Sequence, residues 1–179
     1  MQNCVTNGEG WYWLVDDSSG SFLLKLSEDV VFPTVYKASE LINSFQDEQC
    51  FTTSDAFLYS LFRDKFSAVA MDEQQAFTLA VNATVANHYL KPQAIKSWFF
   101  SVAQHKETKI IRQGDWVALN AKEQAIYLVL DTDQHASNVI LVSERHVIDD
   151  SRLYIRGKAL RVHNDRLTPV SHQLQDYQL

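Results

Sequence analysis

Asp131, Asp133 and His135 alternate along the chain, a spacing that on a β-strand puts three metal-ligating side chains on one side. His146 and Asp149 follow nearby. A calcium loop needs more oxygen ligands and a glycine at its sharp turn, and a zinc site needs histidines or cysteines at patterned spacings. Neither pattern is present, so the cluster is expected to be a polar turn between two buried strands, with no bound metal. Gly8-Glu9-Gly10 resembles the start of a dinucleotide loop but lacks the third glycine, and it precedes a strand where the motif should follow one. There is no GxxxxGK[ST] phosphate cradle and no GxSxG nucleophile elbow. His88 lies on the apolar face of a helical pattern with no nucleophile signalled beside it, which marks a satisfied core or interface histidine and not a general base. Cys4 and Cys50 are far apart without CxxC spacing, so both are expected as free thiols in a reducing compartment. No catalytic constellation and no cofactor site emerge. A non-enzymatic role is expected.

The residues that do stand out form a corner. Tyr89-Leu90-Lys91-Pro92-Gln93 closes a long helical pattern, and Lys96-Ser97-Trp98-Phe99-Phe100 follows at once. Pro92 disfavours helical geometry at Lys91 and stops the helix there. Trp98, Phe99 and Phe100 are consecutive, so a strand cannot turn all three to one side. At least one must meet a second layer or a surface. Exposed aromatic area beside lysine has the composition of a protein-binding hot spot, so this corner is expected to bind a macromolecule.

The elements that hold the corner can be read on either side of it. Trp11 to Val15 and Ser21 to Leu26 flank the turn Asp16-Asp17-Ser18-Ser19-Gly20 as a β-hairpin. Trp11 and Trp13 share the core face, with Tyr12 turned away. Asp29 to Phe32 adds a short strand ended by Pro33, and Leu41 to Phe51 is ambiguous, a short helix followed by loop. Ser54 is expected to cap a helix from Asp55 to Phe66, with Asp55 opposing the helix dipole. Asp72 caps a second helix to about Leu90, whose only clearly polar strip contains Gln75, Thr78 and Asn82. Beyond Pro92 the texture becomes short strands at Ser97–Val102, Asp115–Asn120, Ala125–Asp131, Asn138–Ser143 and Lys158–His163. Regularly spaced strands without helices point to a small antiparallel barrel or sandwich. The expected fold class is α+β: a mixed α/β part over residues 1–92, packed on a small twisted antiparallel β-barrel over 93–165, with a polar tail over 166–179.

Composition narrows the partner. The chain has 179 residues, 46% hydrophobic and 12% aromatic, with a net charge of −6. A chain of this length buries roughly 70% of its unfolded surface and needs no metal or disulfide to fold. The acidic balance, without a run of Lys or Arg, argues against nucleic acid. No basic segment followed by an apolar stretch opens the chain, and no apolar run is long enough to cross a bilayer, so a cytoplasmic protein without a membrane anchor is expected.

The segment Leu79 to Gln93, with Lys96-Ser97-Trp98-Phe99-Phe100, resembles the ZapC family of cell division proteins. So do Trp11-Tyr12-Trp13, Leu23 to Leu26, Asp55 to Tyr59, and Asn164-Asp165-Arg166-Leu167-Thr168-Pro169. The likeness is collinear over nearly the whole chain and weakest between residues 100 and 160. It implies a cytoplasmic, monomeric accessory of the mid-cell division ring that binds the tubulin-like GTPase FtsZ, promotes lateral association of its filaments and lowers its GTP turnover. It also implies a mixed α/β part joined to a twisted β-barrel. Residues matching family positions implicated in FtsZ contact are Leu24, Lys91 and Lys96; Trp98 joins them as the adjacent aromatic. Two lysines at a rigid helix stop would steer encounter with an acidic filament, although Lys91 also suits the carboxyl-terminal dipole of a helix and Leu24 suits a core. The alternative is a small-ligand or peptide-binding module with its pocket in the barrel or at the seam.

Overall fold

A computed structural model of the chain describes residues 10–42, 48–104, 110–170 and 174. It opens with β1 (Tyr12–Val15), β2 (Ser21–Ser27), β3 (Val30–Lys37) and β4 (Gln49–Cys50), forming an antiparallel sheet ordered β3-β2-β1-β4. Helices α1 (Thr53–Ser67) and α2 (Glu73–His88) follow. A second sheet, ordered β10-β7-β6-β5-β11, takes β5 (Trp116–Asn120), β6 (Gln124–Thr132), β7 (Ala136–Leu141), β10 (Ala159–His163) and β11 (Thr168–Pro169). Between them in the chain, β8 (Arg145–Asp149) and β9 (Arg152–Ile155) form a two-stranded ribbon. The fold class is α+β. The carboxyl-terminal strands form a sheet with a ribbon laid across it, and no ring of hydrogen bonds closes them into a barrel among the described residues.

The five-stranded sheet is covered on both faces, which explains the unbroken apolar run in β6. Leu128 and Leu130 join the cluster around the helices, together with Ile140 of β7. Tyr127 and Val129 face the opposite core with Val139, Leu160 and Ile148 of the ribbon. Two-sided burial removes the polar alternation that marks a half-exposed strand. Helix α2 is enclosed in the same way. Every residue from Leu79 to Val85 is buried, and the helix packs on β3 as well as on β6 and β7. Its buried Asn82 accepts from Val35 N at 2.9 Å and donates to Thr78 O at 2.9 Å. What looked like part of a polar strip is therefore a buried amide satisfying the open edge of β3. Gly157 (φ +86°) sits against this amide and Val35, where an added Cβ would lie 3.5 Å and 3.4 Å away, and its carbonyl accepts from the Tyr36 hydroxyl at 2.7 Å.

Several local expectations are corrected. Pro33 lies inside β3 because an edge strand tolerates a missing donor. Leu41 to Phe51 contributes a bridge at Leu41 and strand β4, with 43–47 outside the described residues. Helix α1 is capped by Thr52, whose hydroxyl accepts from Asp55 N at 3.1 Å, and not by Ser54. Ser97 to Val102 is no strand: Ser97–Phe99 is a 3₁₀ turn, held because the Ser97 hydroxyl accepts from His163 N at 2.7 Å. Cys50 is disulfide-bonded and not a free thiol; separation along the chain says little about distance once strand pairing folds it back, and Cys4 lies outside the described residues. In the tail, Thr168–Pro169 pairs with β5 and Leu174 packs near Ala118 and Ile126.

Asp55 is the polar centre of the amino-terminal half. Its side chain is completely buried, yet Trp13 Nε1 (3.2 Å), Thr52 N (2.8 Å), Thr52 Oγ1 (2.9 Å) and the Tyr89 hydroxyl (2.8 Å) all donate to it. His88 Nδ1 completes the set at 2.8 Å. This joins β1, the start of α1 and the end of α2. The nearby carboxylate and burial together push the Tyr89 phenol far above its ordinary range, burial being the larger cause. Removing the acceptor would orphan several buried donors, so Asp55→Ala is expected to cost about 3–5 kcal/mol in urea unfolding; a cost below about 1 kcal/mol would show that the network does not hold these elements together.

A second buried polar contact ties ribbon to sheet. His146 Nε2 lies 2.9 Å from Glu123 O, which can only accept, so this nitrogen carries the hydrogen. Nδ1 then accepts from the Tyr127 hydroxyl at 2.7 Å. Burial pushes Tyr127 well up and His146 down, so the pair is held neutral. The unfolded chain takes up a proton that the folded one resists. The stabilisation is therefore complete above about pH 6.5 and declines as the pH falls from there. The urea midpoint is expected to drop below about pH 6.5, less steeply for His146→Gln; equal slopes in the two proteins would remove His146 as the cause.

Candidate functional site

The corner is built by the way α2 ends. Tyr89, the C-cap residue, still donates its amide to Val85 O at 2.8 Å, and its ring is held by Asp55. The chain then pairs backward: Ile42 N donates to Tyr89 O at 2.8 Å and Lys91 N to Glu40 O at 2.9 Å, around an antiparallel bridge between Leu41 and Leu90. Pro92 follows and prevents any return to helix. Three residues later Ile95 makes a parallel bridge to Arg161 on the edge of β10, and Lys96 N donates to Arg161 O at 2.8 Å. The segment between the lysines is thus pinned at both ends by backbone hydrogen bonds, one end to the amino-terminal half and one to the five-stranded sheet.

The two lysines consequently diverge. Lys91 is exposed, and its ammonium donates to Ser39 O at 2.7 Å, a carbonyl of the 3₁₀ turn Ala38–Glu40 and not a terminal carbonyl of α2. Lys96 lies over the Tyr154 ring at 5.8 Å. Neither lysine has a carboxylate within ion-pair distance among the described residues. Trp98 is 69% exposed and leans on Phe99 at 5.2 Å, while Arg152 stacks on the other ring at 3.9 Å. Phe100 turns inward with the second core. Leu153 and Ile155 of β9 are also exposed. The corner therefore presents uncompensated positive charge and open aromatic surface on a rigid backbone. Leu24 does not belong to it. Its side chain is 0% exposed, opposite Trp13 in the core, so a substitution there acts through the fold and not through a contact.

Beside Lys91 runs a groove of about 510 Å³ along the seam between the end of α2 and β10. Ile42, Leu90 and Pro92 supply apolar lining, and His88, Lys91 and Arg161 supply basic groups. Arg161 is already engaged, by Asp133 at 2.5 Å and Asn138 at 3.3 Å. Asp133 also accepts from the His135 and Ala136 amides, and these bonds hold its carboxyl at about 2, well below the ordinary range. Asp131 thus belongs to β6, paired with Asn138, and the turn from β6 to β7 that follows it has its acid, Asp133, committed. No group of three metal-ligating side chains occurs among the described residues, and none of their helices is long and apolar enough to cross a membrane. Sequence reasoning placed Lys91, Lys96 and Trp98 together but missed Ile42, Arg161 and the Asp55–His88 contact. The Thr52-x-x-Asp55 spacing of a capping box was there to be seen; the aromatic and histidine partners were not, because they come from distant elements.

Comparison with known proteins finds similarity over most of the chain. Two family descriptions match, "Cell-division protein ZapC, N-terminal" over residues 4–91 and "Cell-division protein ZapC, C-terminal" over residues 92–173. Among similar proteins, the cell division protein ZapC of Musicola paradisiaca is 30% identical over 90% of this chain and 88% of its own length. That of Idiomarina loihiensis is 29% identical over 92% and 90%, and that of Vibrio cholerae 28% over 94% of each. With both parts matched in order and relatives aligned nearly end to end, the chain belongs to the ZapC family of cell division proteins.

Proposed function

We propose that this protein is a non-catalytic accessory of the division ring that binds FtsZ filaments through the corner carrying Lys91, Lys96 and Trp98, promotes their lateral association and lowers FtsZ GTP turnover. The observation that carries this reading is the state of the two lysines. Neither is neutralised by an internal carboxylate among the described residues, although acids outnumber bases by 22 to 16 in the chain. Cations left open beside exposed aromatic surface favour a large acidic partner over a small substrate. The backbone pinning matters equally, because a surface fixed before encounter loses little ordering entropy on docking. The protein works as a monomer in the cytoplasm at mid-cell. The disulfide at Cys50 is the feature at odds with a reducing compartment, so a fluorescent fusion imaged in dividing cells is the direct check on location.

Wild-type protein is expected to cosediment with polymerised FtsZ from the same cell, to raise light scattering during polymerisation and to slow GTP hydrolysis. Binding should weaken as salt is raised, since exposed charges are screened. Lys91→Glu and Lys96→Glu together should weaken it by about tenfold, equivalent to about 1.4 kcal/mol, with an unchanged thermal midpoint. Equal cosedimentation by the charge-reversed protein would take these lysines out of the site, and no cosedimentation by the wild type would remove the function.

A further inference from the structure

Cys50 carries a covalent bond that docking at the corner does not use. It is disulfide-bonded, and no cysteine among the described residues is free. The sequence holds two cysteines, Cys4 and Cys50, so within one chain Cys50 has no other sulfur to join than that of Cys4, which lies outside the described residues. The strand that carries Cys50, β4, is the outermost and shortest of its sheet and pairs with β1 on one side only. Register shows which way Cys50 faces. Tyr12 lies opposite Lys25 on β2 and opposite Cys50 on β4, so these three side chains form one row on one face. The adjacent row is Leu24, Trp13 and Gln49, in which Leu24 and Trp13 are completely buried. Alternation therefore puts Cys50 on the outer face, beside Lys25 and its half-exposed partner Glu48 at 3.1 Å. Cys50 itself is half-buried. Phe51 then turns to the core, meets the Trp11 ring at 5.2 Å and the Trp13 ring at 5.5 Å, and donates its amide to Trp11 O at 2.8 Å. Thr52, the cap of α1, comes next.

We propose that Cys4 and Cys50 form a reversible clasp, a disulfide reached from the outer face of the sheet, which a dithiol reductant of the thioredoxin class opens and which, while closed, holds the entry to α1 in register. This role is separate from docking at the corner and stands without it. Opening is thiol–disulfide exchange. A reductant thiolate attacks one sulfur, forms a mixed disulfide with it and releases the other as a thiolate, which takes up a proton. The second thiolate of the reductant then displaces the bound sulfur. The protein gains two thiols, and the reductant leaves as its own disulfide, having given up two electrons. Attack needs access to a sulfur, which a core cysteine lacks and the outer face provides. A bond so placed is of the kind that a reducing compartment opens, so its state follows the redox poise around the protein. The loop that it closes contains β1, β2 and β3, and the closed form restricts the unfolded chain over that whole span. Locally it anchors a two-residue edge strand from which Phe51, Thr52 and the buried Asp55 follow directly.

The test uses the full chain purified without reductant. Digestion and mass spectrometry under non-reducing conditions are expected to find the peptides of Cys4 and Cys50 linked to each other, and a maleimide label applied in denaturant should find no free thiol. Reduced thioredoxin added to the folded protein should make both cysteines available to the label. Reduction is expected to lower the thermal midpoint by about 10 °C and to speed amide exchange across residues 49–55 by about tenfold. Cys4→Ser should show the lower midpoint with and without reductant, a readout that leaves β4 itself unaltered. Free thiols before reduction, a disulfide-linked dimer through Cys50, resistance of the folded protein to thioredoxin, or a midpoint unmoved by reduction would each overturn the proposal. Cosedimentation with FtsZ enters none of these measurements, so its failure would remove the division-ring reading and leave the clasp standing.

Discussion

A carboxylate taken out of water is stable only when its lone pairs are occupied, and Asp55 makes the fold supply those partners from three separate elements. Loss of hydration costs several kcal/mol for such a group. Here it is offset by donors from Trp13, Thr52, His88 and Tyr89 and by the positive end of α1. These bonds fix the last turn of α2 against the first turn of α1 and against β1. Everything at the corner follows from that alignment, because the backbone bridge to Ile42, the stop at Pro92 and the position of Lys91 all start from Tyr89.

A second constraint acts from the other side. The five-stranded sheet packs its two faces into two different cores, so the helical layer and the ribbon share one rigid wall. Segment 92–97 is laid along the edge of that wall at β10. Lys91 and Lys96 thus belong to one short stretch with each end anchored to a different part of the molecule. This arrangement suits a docking surface, since the spacing of its charges is set by the fold and not by side-chain freedom. Leu24, deep against Trp13, lies outside this stretch.

What could be read from residues alone was whatever depends on local periodicity and local chemistry. The hairpin around Asp16 to Gly20, both helices, the stop at Pro92 and the strands ending near Asn120, Asp131 and His163 are of that kind. The ribbon escaped because its polarity runs backward: Leu153 and Ile155 of β9 are exposed while Tyr154 packs inward. The run Ser97 to Phe100 imitated a strand by composition, yet the edge of β10 accepts only a bridge and a serine hydroxyl there. Asp55 read as a dipole-opposing helix residue because nothing nearby in the chain announces Trp13 or Tyr89 as its donors.

The amino-acid order by itself determined the fold class, the place where the helical half gives way to strands, the absence of any recognisable catalytic or phosphate-binding motif, and the grouping of Lys91, Lys96 and Trp98 at one stop. Periodicity, proline sterics and short motifs are properties of neighbours in the chain, so they survive without coordinates. Tertiary structure alone decided that Leu24 is core, that Asp55 and His88 form a pair, and that Arg161 and Ile42 meet Lys91 across a groove. Those outcomes depend on which distant surfaces are buried together, and burial is settled only when the two sheets close on the helix between them.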